Sequence, residues 1–200
     1  TIYLLTNGIL IPITAYLIGR FSNRALLLAA LGLFTLGTIL GAFAPNYPVL
    51  LGARIIQAAG AGIIMPLMQT IILTLYPKEK RGSVMGIAGL VTGFASAFGP
   101  TLAGCLLTYL LTYFTWRHLF YTMLPVALVV ILLVFVFMKN VTPRQERQFD
   151  ILSIIYSTFG WGGLLYGFSM VGSVGFTSWY VLLSLAVGII ALYMFIQRQF

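Results

Sequence analysis

Acidic residues are almost missing from this chain: Glu79, Glu146 and Asp150 are the only three, against 11 Lys and Arg. All three lie in or beside polar connections, so no long apolar run carries a carboxylate. A proton-driven device normally needs a titrating group within its pathway, so either that group lies in other sequence or coupling works otherwise. Histidine and cysteine occur once each. No metal-ligand spacing and no internal disulfide can be built from them. Cys105, inside an apolar run, is expected to be a buried, inert thiol. His118, following Trp116-Arg117, is expected to be an interfacial anchor. Charged residues make up only 7% of the chain, against roughly 25% in soluble domains. With 200 residues and no long polar segment, there is no room for a soluble catalytic domain. No nucleophile–base pair or phosphate-binding loop is present, which weighs against a membrane enzyme or an assembly subunit built around one.

What the chain has instead is apolar length. Hydrophobic residues reach 60%, and seven apolar runs can be marked: about Thr1 to Gly19, Ala25 to Ala44, Val49 to Leu75, Ser83 to Thr112, Leu119 to Met138, Ile151 to Val171 and Tyr180 to Ile196. Each is near the ~20 residues a spanning helix needs. The expected class is thus an all-α integral membrane protein with seven transmembrane helices and the lipid bilayer as its main partner. Alternate loops then share a side. The first, third and fifth loops and the tail hold Arg20, Arg24, Lys78, Lys80, Arg81, Lys139, Arg144, Arg147 and Arg198, and the other side holds only Arg117. This asymmetry makes the first set cytoplasmic. It also accounts for the net charge of +8 without nucleic acid. Thr1 then falls on the outer side, and the chain reads as a fragment lacking one preceding span and a signal peptide.

Two stretches stand out. Gly82, Gly86, Gly89, Gly93, Ala97, Pro100 and Gly104 share one helical stripe. In lipid such a stripe lets a neighbouring helix come close, and Gly99-Pro100 removes an amide, so a kink or local unwinding is expected there. The plain reading is a tightly packed helix; the sharper one is a hinge. The other stretch surrounds Arg54, a cation inside a span. Gln57, Ala61, Met65, Met68 and Gln69 lie within ~60° of it on a helical wheel, a polar, methionine-rich face suited to a cavity, though an arginine near a helix end can also snorkel to the headgroups. Tyr156, Phe159, Trp161, Tyr166 and Phe168 cluster in the sixth run. They are either belt residues or a ligand surface.

These residues resemble the major facilitator superfamily, and within it the fourteen-helix drug and proton antiporters. Arg54-Ile-Ile-Gln57-Ala-Ala-Gly60-Ala61-Gly62 is similar to the fourth-helix motif RxxQGxGA. Gly86, Ala95, Gly99-Pro100, Ala103 and Gly104 resemble the fifth-helix antiporter motif, with alanine in place of two glycines. Gly19-Arg20-Phe-Ser-Asn23-Arg24 resembles the loop motif GxxxDRxGRR, with Asn23 where the acid stands and without the second basic cluster. The resemblance covers family helices two to eight. It implies a bundle over 1–138, a cytoplasmic linker over 139–150 and two central extra helices over 151–200. The implied activity is proton-coupled efflux of a small lipophilic or cationic drug by alternating access across the cell membrane; transport of a specific metabolite or peptide is the alternative. Protons would be the coupling ion, their gradient the energy source, and no cofactor or metal is implied. Arg54 and Gln57 would serve proton coupling, Gly86, Gly99, Pro100 and Gly104 the hinge, Gly19, Arg20, Asn23 and Arg24 the cytoplasmic gate, and Met65, Met68 and Gln69 the cavity.

Overall fold

A computed structural model describes residues 2–110, 117–140 and 151–199. They form seven helices: α1 (Ile2–Arg20), α2 (Asn23–Ala42), α3 (Tyr47–Leu75), α4 (Lys78–Leu110), α5 (His118–Phe137), α6 (Ile151–Val174) and α7 (Trp179–Gln199), with no strand among the described residues. Five of them, α2 to α5 and α7, are long and apolar enough to cross a membrane by length and composition. Residues 111–116 and most of the expected linker, 141–150, lie outside the described residues, with Arg144, Glu146, Arg147 and Asp150.

The helix starts follow local chemistry. Ser22 caps α2 by accepting from the Ala25 amide at 3.3 Å, and Asn46 caps α3 by accepting from the Val49 amide at 3.1 Å, each satisfying a donor that has no partner within the helix. The largest departure from the apolar runs is α4. It begins at Lys78 rather than Ser83, because the Pro77 carbonyl accepts from both Lys80 and Arg81 and Glu79 sits favourably in the first turn. Pro100 does not unwind this helix; α4 is continuous through it, as α3 is through Pro66 and α5 through Pro125. Prolines are tolerated within spanning helices because the freed carbonyl can be satisfied locally.

α3 is the hub, with α2 and α1 packed along it and α5 packed on α2. α6 and α7 form a second close pair that reaches the rest through α1. Without water to expel, helices in lipid associate by fitting closely, and glycine makes the fit between α2 and α3. A Cβ on Gly37 would lie 2.5 Å from the Gln57 amide nitrogen, and one on Gly60 would strike the backbone of Ala30 and Phe34. Leu26, Ala30, Ile63 and Leu67 fill the adjoining core. α2 and α5 run antiparallel and are joined at both ends. Arg24, at the start of α2, donates to the Phe135 carbonyl at 2.5 Å and lies 5.2 Å from that ring. Arg117, just before α5, donates to the Ala44 carbonyl beyond the end of α2 at 2.8 Å.

α4 corrects two expectations. It touches α3 only lightly, and a Cβ on Gly82, Gly86, Gly89, Gly93, Gly99 or Gly104 would find nothing within 4 Å. Its small-residue stripe packs against no helix among the described residues. For the same reason Cys105 is exposed rather than buried.

Candidate functional site

The residues singled out around Arg54 separate into two places along α3. Arg54 lies seven residues in from Tyr47, about 10 Å along the helix axis, deeper than a headgroup anchor at the first turn. Its Nη1 donates to Gln57 Oε1 at 2.8 Å. Gln57 is buried at 3% exposure and passes the interaction on, donating from Nε2 to Thr38 Oγ1 at 3.0 Å, while Thr38 donates to the Phe34 carbonyl at 2.8 Å. The guanidinium also stands over the Phe120 ring of α5, 4.7 Å from its centroid. The arrangement therefore spans three helices: α3 supplies the charge, α2 the polar anchor, α5 the ring. It can hold a cation at a fixed point inside a span, and a fixed cation lowers the pKa of any acid brought near it.

Met65, Met68 and Gln69 begin about 16 Å further along α3, and there the helix faces α4 instead. They line a groove of about 440 Å³ with Met85, Thr92 and Ser96, and Gly89 and Gly93 open its α4 wall. None of the lining residues is charged. Thioethers are polarisable and adapt to irregular apolar shapes, and the Gln69 amide with the two hydroxyls offers a few polar contacts. The expected single polar and methionine-rich face is thus split: Arg54 and Gln57 turn to α2 and α5, whereas Met65, Met68 and Gln69 turn to α4.

At the α1–α2 turn the four gate residues are not one cluster. Arg20 donates to the Tyr16 hydroxyl at 2.7 Å and Arg24 reaches α5, while Gly19 is half-buried. Asn23 is fully buried, and neither its Oδ1 nor its Nδ2 has a hydrogen-bond partner among the described residues. A carboxylate in that slot without a partner would be a buried charge, more costly than an unpaired amide. Gly86, Gly99, Pro100 and Gly104 lie along exposed α4, apart from both the Arg54 cluster and the gate. The aromatic cluster of the sixth run does not converge either. Phe159, Trp161, Tyr166 and Phe168 are exposed, and none of the cluster lines the α3–α4 groove. His118 stacks edge-on against Tyr121, centroids 5.6 Å apart.

Thr38, Phe120, Met85 and the groove side of α4 were not among the residues expected at the site. Met85 could have been found from its helical register, since Met85, Ala88, Thr92 and Ser96 form a stripe beside the glycines.

The Major Facilitator Superfamily model matches residues 1–198. The "Uncharacterized MFS-type transporter YcnB" of Bacillus subtilis is 61% identical over 199 residues, covering 100% of this chain and 41% of its own length. The "Lincomycin resistance protein LmrB" of Listeria monocytogenes is 43% identical over 98% of this chain and 41% of its own. The "Putative multidrug resistance protein MdtD" of Pectobacterium carotovorum is 28% identical over 95% of this chain and 40% of its own. The chain thus spans about two fifths of the curated relatives it matches. Apolar helices throughout, and a family match over nearly every residue, make this a multi-pass membrane protein belonging to the Major Facilitator Superfamily.

Proposed function

We propose that the protein to which this chain belongs exports amphipathic compounds across the cell membrane by alternating access, driven by the proton gradient. The observation that carries this reading is the α3–α4 groove: an uncharged, methionine-rich surface with a few hydroxyl and amide groups favours apolar, weakly polar solutes over ions. Relatives named for lincomycin resistance and multidrug resistance are consistent with it. Arg54, held by Gln57, is the fixed positive charge that would tune a proton-carrying carboxylate supplied by other sequence, and Gly86, Gly99, Pro100 and Gly104 the face of α4 along which a partner helix would slide. Arg20, Asn23 and Arg24 belong to the cytoplasmic gate.

The test is dye uptake into inside-out vesicles carrying the full-length protein, with a pH gradient imposed and then collapsed by an uncoupler. Uptake should stop on collapse, and Gly93→Leu, which fills the groove, should raise KM for a bulky dye severalfold. Dye uptake indifferent to the gradient would overturn proton coupling. No movement of cationic or neutral dyes would favour a transporter of one metabolite or peptide.

A further inference from the structure

We infer that Phe120 is a positioning residue for Arg54, fixing from a separate helix where its positive charge stands. This rests on the export reading above for its consequence, and on geometry for its substance. A cation within a span costs about 2.5–3.5 kcal/mol on insertion scales, and one hydrogen bond to Gln57 offsets only part of that. The ring supplies the rest of the site, its 4.7 Å separation being inside the ~6 Å reach of a cation–π contact. Phe120 itself has little freedom. It is 6% exposed, and its ring fills the space left by the missing side chain of Gly41, where a Cβ would come within 2.5 Å of it. Three residues earlier, Arg117 ties the start of α5 to Ala44. The place of the charge on α3 is therefore referred to α2 and α5 together.

Among the described residues, Tyr3 of α1 lies within electrostatic reach of Arg54, and Arg117, His118 and Tyr121 are the titratable or charged groups beside Phe120 in sequence. The one carboxylate among the described residues, Glu79, sits beyond the opposite end of α3. A carboxylate coupled to Arg54 belongs to other sequence, and it would feel a displaced guanidinium as a rise in its pKa.

The experiment places 4-fluorophenylalanine and then 3,4,5-trifluorophenylalanine at position 120 of the full-length transporter, in a His118→Gln background that removes the histidine's own titration. Fluorination drains the ring's negative face while nearly keeping its size. The pH midpoint of gradient-driven dye export should rise stepwise with fluorination and by roughly half a unit or more in Phe120→Leu, and Phe120→Tyr should restore it. The ¹⁹F resonance of the 4-fluoro protein should shift when Arg54 becomes leucine. A resonance indifferent to Arg54→Leu would overturn the contact, and an unmoved midpoint in the trifluoro protein would overturn the positioning role. Absence of any dye export in the parent would sink the export reading instead, leaving the ¹⁹F shift to decide the placement.

Discussion

Gln57 uses both ends of its amide, accepting from Arg54 and donating to Thr38, so it orients a charge on its own helix by leaning on the next. Thr38→Val keeps the shape and removes the acceptor, leaving a buried amide hydrogen unpaired. Hydrogen bonds in membrane bundles average about 0.6 kcal/mol, whereas orphaning a buried donor costs about 1–3 kcal/mol. Thermal unfolding in detergent should accordingly record a loss near ~1 kcal/mol, which Thr38→Ser should avoid; equal stability of the two variants would argue against the relay. The Arg54–Gln57 pair was legible in the sequence because residues three apart share a helix face. Thr38 and Phe120 were not, since nothing in a lone threonine or phenylalanine tells which neighbouring helix will bring it to an arginine.

Among the elements, α3 and α4 carry similar small-residue patterns and meet opposite fates. Gly60 is pressed against α2, and Gly86 faces open space. Gly60→Ala should force the two helices apart and cost about 1–3 kcal/mol, while Gly86→Ala creates no clash among the described residues and should gain up to about 1 kcal/mol from helix propensity. Comparative thermal midpoints check the contrast, and similar losses at both positions would mean that α4 is packed as tightly as α3. The seven helices and most of their ends, to within a few residues, were readable from apolar length. Which small stripe packs was not. A lack of side chains permits close approach without requiring it, and the requirement comes from a partner that must be present. The charged first turn of α4 was missed for a related reason: apolarity marks where a helix lies in lipid, whereas Lys78 to Arg81 extend it beyond that boundary.

For the whole molecule, we propose from the sidedness of the basic residues that the α3–α4 turn faces the cytoplasm and the α2–α3 turn the outside. In a Cys105→Ser background, Lys80→Cys should react with an impermeant maleimide only from the cytoplasmic face and Asn46→Cys only from the outside; labelling of both from one face would reverse the reading of alternate loops. The paired arginine contacts of α2 and α5 bear on how such a molecule can change shape. Arg24 and Arg117 stand at opposite ends of an antiparallel pair, so lengthwise slippage would break a bond at both membrane faces at once. The pair behaves as a pinned strut that can tilt but not shear. Deformation within this part of the protein is then channelled to seams without such pins, among them the one where α4 rests lightly on α3 and the methionine groove opens.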